Sequence, residues 1–380
     1  MLKVLDKLNK KTILNLPINL FALIVLMSIY YLVGSSLTIN LPFNSLYLLI
    51  VILVLFISLI LPDFFKKPIF SFEKITFSAI IIYAAINVLI NKDITLLLAI
   101  LLCFSIRNKK MEDVIKVLMI CLSIYLFVSI VYYYCLYFFS NIELPVFNRG
   151  SSIRQSFGIG HPNLTFLLFA NLIIMYAYSN KLDFKKSILL ILISIVLQII
   201  IDSKTSLIMS ILAIILFYIC GRFAELKIII RNISKFIFPL LFIFVFIISA
   251  LYENDIEIIN IINKALTGRI MLNNMAINRI GFSLFAQNID YSLVNAGEYF
   301  TIDSLYTYFF CEYGFVWIII FSILFYLASI KGTYKDSILI VLFSLYAVSE
   351  YVGINCIYLF SILSIKNAFS DNKLLKNEKI

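Results

Sequence analysis

Charge is scarce in this chain and histidine almost missing. Asp, Glu, Lys and Arg together make up 14% of the 380 residues, and His161 is the single histidine. So little charge excludes a soluble globular fold, in which about a quarter of residues are charged. One histidine excludes a multi-histidine metal centre. The six cysteines (Cys103, Cys121, Cys135, Cys220, Cys311 and Cys356) fall in or at the ends of apolar runs. That placement offers neither a disulfide framework nor a Cys/His cluster and makes them small packing residues. There is no internal repeat, nucleotide-binding glycine loop or haem motif. No metal and no cofactor is therefore expected.

What is abundant is apolar surface. The chain is 62% hydrophobic with a mean hydropathy of +1.03, the composition of an integral membrane protein. Its apolar runs are continuous rather than alternating, which selects helices over an outer-membrane barrel. The reading is an all-α integral membrane protein of twelve transmembrane helices forming one polytopic domain over 1–380. The expected spans are 18–36, 44–61, 75–91, 94–106, 114–139, 163–179, 187–201, 206–221, 236–252, 304–329, 337–352 and 355–369. The run at 94–106 is short enough to be re-entrant. The first run lacks a small-residue cleavage site and is read as a span, not a signal peptide.

Basic residues orient the bundle, because cytoplasmic loops collect them. With the N-terminus inside, the outer side keeps Lys92, Arg149, Arg154, Lys204, Lys264, Arg269 and Arg279, and the other 24 of the 31 Lys and Arg lie inside. Both termini are then cytoplasmic, with long external loops at about 140–162 and 253–303. The net charge of +10 follows from this topology and suits anionic lipid; it does not call for nucleic acid.

Polar chemistry has few places to be. One is Arg149-Gly-Ser-Ser-Ile-Arg154-Gln-Ser-Phe-Gly-Ile-Gly-His161-Pro-Asn163, which holds the only histidine and three of the eleven glycines. His161 precedes Pro162 at a helix start, so it is either a general base or a cap. Asp202-Ser-Lys204-Thr205 is either an ordinary turn or a functional charge at membrane depth. The loop at 253–303 carries Arg269 and Arg279, whose forked donors suit phosphate oxygens. Asp303 opens the next helix, either as its N-cap or as a site carboxylate, with Tyr306 on the same face. Glu312 follows half a turn round within the membrane, where a carboxylate usually has a partner. Glu350 and Asn355 are weaker candidates, and Tyr132, Tyr133 and Tyr134 read as an interfacial aromatic belt.

Together these segments resemble the Wzy-type bacterial polysaccharide polymerases and the related O-antigen ligases. The matching pieces are Arg154…Phe157-Gly-Ile-Gly-His161-Pro-Asn163, Ser203-Lys204-Thr205, Thr267-Gly268-Arg269, and Asp303-Ser-Leu-Tyr306 followed by Tyr313-Gly314. Arg149 and Gly160 also fit an arginine-x10-glycine spacing. Gly281 comes one residue late for the same spacing after Arg269, and the second loop lacks the late histidine of ligases, which favours polymerase. The resemblance implies a multi-pass protein of the cytoplasmic membrane. Such an enzyme moves a growing glycan from undecaprenyl diphosphate to an incoming lipid-linked repeat unit at the outer face. It implies His161 and Asp303 as catalytic residues, and Arg149, Arg154, Lys204, Arg269 and Arg279 as diphosphate ligands. Asn163, Tyr306 and Glu312 would support them. The implied partners are the undecaprenyl-diphosphate-linked oligosaccharide, membrane lipids, a chain-length regulator and a flippase. The alternatives are a glycan ligase and a lipid-linked oligosaccharide flippase; the long polar loop and the absence of a repeat weigh against the latter.

The charge distribution makes a direct prediction. Reporter fusions at Lys181 and Lys331 should read cytoplasmic and fusions at Ser152 and Asn288 external; an external signal at Lys181 would refute this topology.

Overall fold

The computed structural model describes residues 72–139, 147–149, 152–290, 300–351, 355 and 360–370. The expected spans at 18–36 and 44–61 lie outside the described residues. The helices are α1 (Phe72–Asn91), α2 (Thr95–Ser105), α3 (Met111–Phe139), α4 (Pro162–Ser179), α5 (Phe184–Ile201), α6 (Lys204–Arg222), α7 (Ala224–Ala250), α8 (Glu257–Ala265), α9 (Arg269–Ile280), α10 (Leu305–Tyr308), α11 (Val316–Lys331) and α12 (Tyr334–Ala347). Five of them (α3 to α7) are long and apolar enough to cross a membrane. This is the architecture of an all-α membrane protein. A two-stranded hairpin, β1 (Phe147–Arg149) and β2 (Ser152–Arg154), interrupts it, with Phe147 opposite Arg154 and Arg149 opposite Ser152.

Four expectations need correction. The run at 304–329 is not one helix: α10 passes into a π-turn at Phe309–Tyr313, Gly314 breaks the chain, and α11 starts afresh. The described part of the segment expected at 355–369 is a 3-10 helix over Phe360–Phe369 rather than an α-helix. The helix expected at 236–252 begins at Ala224, so Lys227, Arg231 and Lys235, read as loop residues, stand one turn apart on α7. Lysine and arginine are good helix formers, and a helix can continue past the hydrocarbon. Finally, the stretch at 253–303, expected as an external loop, is partly helical, as α8 and α9.

Two compact units are present, one comprising 1–71 and 109–165, the other 72–108 and 166–380. In the first, the described parts are α3, the hairpin and the turn into α4. In the second, α7 packs on α11 and α12, the 3-10 segment lies against α11, α12 and α2, and α9 rests on α7. Phenylalanine fills the seam. Phe238 of α7 is fully buried, with ring centroids 5.2 Å from Phe325 and 5.0 Å from Tyr306. Aromatic pairs at such spacing add to the area they bury. Asp336 and Thr333 close a capping box at the start of α12, and Tyr178 donates to the same carboxylate at 2.9 Å.

The broken helix is held open by the loop. The Ser283 and Gln287 amides donate to the Phe310 and Glu312 carbonyls at 3.1 and 2.9 Å, while the Phe315 amide donates to Ser283 at 2.9 Å. Non-helical backbone at membrane depth survives only when protein satisfies it in this way. Gly314 sits at φ +98°, and a Cβ there would lie 2.5 Å from the Phe285 carbonyl carbon. Gly314→Ala should therefore cost about 2 kcal/mol or more and lower the thermal unfolding midpoint in detergent. Gly221→Ala, with nothing within 4 Å of its added Cβ, should leave it unchanged or raise it. Equal midpoints for Gly314→Ala and the parent would contradict this account.

Candidate functional site

Arg269 organises the second unit. The turn before it needs two left-handed residues, Thr267 (φ +57°) and Gly268 (φ +86°), and Gly268 stands as the N-cap of α9. Placed at the first helical position, the Arg269 side chain is 10% exposed, and each of its three nitrogens faces a protein oxygen. Nε lies 3.5 Å from Asp303 Oδ2, Nη2 lies 2.8 Å from Glu350 Oε1, and Nη1 donates to Thr205 Oγ1 at 3.2 Å. Three of the segments singled out in the sequence, Ser203-Lys-Thr205, Gly268-Arg269 and Asp303-Ser-Leu-Tyr306, thus meet at one guanidinium. The fork expected to grip diphosphate is directed at carboxylates, so this cluster carries a net negative charge.

The two carboxylates are not equivalent. Glu350 makes the short bond and its side chain is 17% exposed; Asp303 is held at the longer distance and is 31% exposed. Asp303 is not the N-cap of α10, since Ser304 takes that position without a side-chain cap bond. Its Oδ1 accepts from Thr301 at 3.2 Å. Ser304 instead donates to the Ala347 carbonyl at 3.0 Å, and Tyr306, buried, donates to the Ser344 carbonyl at 3.0 Å. Tyr306 thus braces α10 on α12 through its hydroxyl.

Glu312 lies in the π-turn rather than on a regular helix, so its expected offset from Asp303 does not hold. It is 7% exposed and accepts from the Tyr308 hydroxyl at 3.0 Å. The Tyr308 ring stands 5.0 Å from Tyr313 and 5.6 Å from Tyr351, and Tyr313 donates to Asp93. Asp93 was not foreseen. The available signal is its place in Lys92-Asp93, a polar break between two apolar runs; nothing in the segment of Glu350 announces the cation it meets.

Lys204 is exposed at the first position of α6. The turn before it is tied by Gln198, whose amide donates to Asp202 at 3.1 Å while its carbonyl accepts from the Ser203 amide at 3.0 Å. Arg279 is exposed in the last turn of α9, 5.9 Å from the Phe300 ring.

In the first unit, Arg154 is 8% exposed and its Nη2 donates to Asn163 Oδ1 at 2.6 Å. The chain between them turns through Phe157, Gly158 and Gly160, all at positive φ. Phe157 packs by Tyr133 at 6.0 Å, and Tyr133 donates to Gln155 at 3.2 Å, so Tyr133 helps hold the turn. His161 is exposed, and its Nδ1 accepts from the Asn163 amide at 3.1 Å. That is the bond of a helix N-cap with proline following at the first helical position. Arg149 lies on β1.

No family model, curated protein or solved structure matches this chain.

The Arg269 cluster predicts a stability pattern. Arg269→Gln leaves two carboxylates facing each other in a mostly buried place and should cost about 3 kcal/mol. Arg269→Gln/Glu350→Gln should recover part of the loss. Thermal unfolding of the purified variants checks this; a double variant less stable than the single one would contradict the assigned pairing.

Proposed function

We propose that the protein is a polysaccharide polymerase that transfers a growing glycan from undecaprenyl diphosphate to the terminal sugar of an incoming lipid-linked repeat unit. In this reading it works at the outer face of the cytoplasmic membrane. The observation that carries the reading is the meeting of Thr205, Arg269 and Asp303, each from a different segment resembling the Wzy-type polymerases.

In this mechanism Asp303 is the base. It is the more exposed of the two carboxylates on Arg269, and the more loosely bonded, so an acceptor hydroxyl can reach it. Arg269 positions it, with Glu350 as the anchor on the other side. Asp303 accepts the proton as the hydroxyl attacks and acidifies. The hydroxyl oxygen bonds to the anomeric carbon of the donor glycan, and the carbon–oxygen bond to undecaprenyl diphosphate breaks with its electron pair. Lys204 and Arg279, both exposed in the unit that holds Asp303, supply the cations that stabilise the departing diphosphate. His161 caps α4 through Nδ1 and ranks behind Asp303 as base, because in neutral imidazole that bond leaves Nε2 carrying the proton.

The test is polymerisation of a purified lipid-linked repeat unit. Asp303→Asn should lower turnover by roughly a hundredfold or more, and Arg269→Lys should also be impaired although charge is kept. His161→Asn, which keeps a capping side chain, should retain most activity. Wild-type turnover by Asp303→Asn would remove the assignment of the base.

A further inference from the structure

At the end of the bundle away from Arg269, the chain leaves α4, turns, and enters α5 beside the last turn of α6. The turn is fixed by Asp183, whose carboxylate accepts from the Lys186 amide at 2.8 Å as the N-cap of α5. That amide and the nearby lysines hold the Asp183 carboxyl below the usual carboxylate range, so it stays charged. Between this turn and α6 lies a cavity of about 580 Å³ lined by Lys181, Leu182, Asp183, Lys186, Gly221 and Arg222. Three cations against one anion leave it with a net charge of +2.

Several other basic groups at this end are engaged by the protein itself. Lys331 donates to the Ala368 and Ser370 carbonyls at 2.9 and 3.1 Å, and Arg231 donates to the Ile330 carbonyl at 3.3 Å. Lys227 and Lys335 lie over the Tyr334 and Tyr178 rings at 5.1 and 5.2 Å. Lys181, Lys186 and Arg222 differ in lining a cavity. Arg222 is braced against Tyr218 at 4.5 Å, and Lys186 reaches Asp183 at 3.6 Å.

The rim of this cavity is apolar and exposed. Phe184, next to Asp183, is 62% exposed, and Phe223, next to Arg222, is 58% exposed; Leu189 and Leu192 continue an exposed apolar face along α5. A cationic recess opening onto a lipid-facing helix surface has the two halves that a phospholipid needs, a place for its phosphate and a track for its chains. A free anion would use only the recess. We propose that this cavity binds the phosphate-bearing headgroup of an anionic phospholipid, with the acyl chains along α5. Basic pockets between helices at the cytoplasmic side of membrane proteins take such headgroups, and the charge bias of the chain places this end there.

The experiment uses the full-length protein purified in detergent, with bound lipid counted by native mass spectrometry against phosphatidylglycerol, phosphatidylcholine or inorganic phosphate. Phosphatidylglycerol should be retained over phosphatidylcholine. Lys181→Ala/Arg222→Ala should weaken its retention roughly tenfold or more. The exchanged pair Lys181→Arg/Arg222→Lys should keep it, as should Lys185→Ala/Lys264→Ala, which removes the same charge outside the cavity. Unchanged retention in Lys181→Ala/Arg222→Ala would overturn the site. Equal loss in Lys185→Ala/Lys264→Ala would overturn it in favour of diffuse charge attraction. If inorganic phosphate competes away phosphatidylglycerol at comparable concentration, the lipid assignment falls and the recess is a simple anion site.

Discussion

A single guanidinium holds together four stretches of chain that the sequence separates widely. Arg269 joins Thr205 at the start of α6, Asp303 before α10 and Glu350 after α12. Arginine is the residue for this task because its planar fork addresses several acceptors at fixed angles, which an ammonium on a flexible stem does not. Burial raises the stakes: charges removed from water must find each other or destabilise the fold. The helix ends that carry these residues are therefore referenced to one point.

The same logic of satisfaction explains the break between α10 and α11. A π-turn and a glycine at positive φ leave backbone groups unpaired, and residues 283–287 supply partners to them. Around the break, Tyr308, Tyr313 and Tyr351 gather beside Glu312 and Asp93. Irregular backbone here coincides with polar side chains, and the protein satisfies both.

Helix positions were largely legible in the sequence because continuous apolar runs are dictated by hydrophobic thickness. The runs at 163–179, 187–201 and 206–221 fall within α4, α5 and α6. What escaped was set by other forces. Hydropathy does not register the break at Gly314, since Phe309, Phe310 and Tyr313 are as apolar as any helix, and the interruption depends on hydrogen bonds from a distant loop. The start of α7 escaped because lysine and arginine mark a membrane boundary without ending a helix. Polar residue types in an apolar chain pointed to Arg154 and Asn163 in one unit and to Arg269, Asp303 and Glu312 in the other. Their pairings were not legible, because Arg269 could as well have faced solvent as two carboxylates. Likewise His161 read equally as base or cap until its Nδ1 was placed on the Asn163 amide.

The loop that enters the broken helix also bears on how the chain is made. Residues 283–287 precede α10 and α11 in the sequence, so the donors that quiet the break leave the ribosome before the backbone groups they will satisfy. A helix pair with unpaired carbonyls never has to wait in lipid for its partner segment. The order of the genetic message and the order of chemical need agree, and a circularly permuted chain that began at α10 would lose that agreement while keeping every contact of the finished fold.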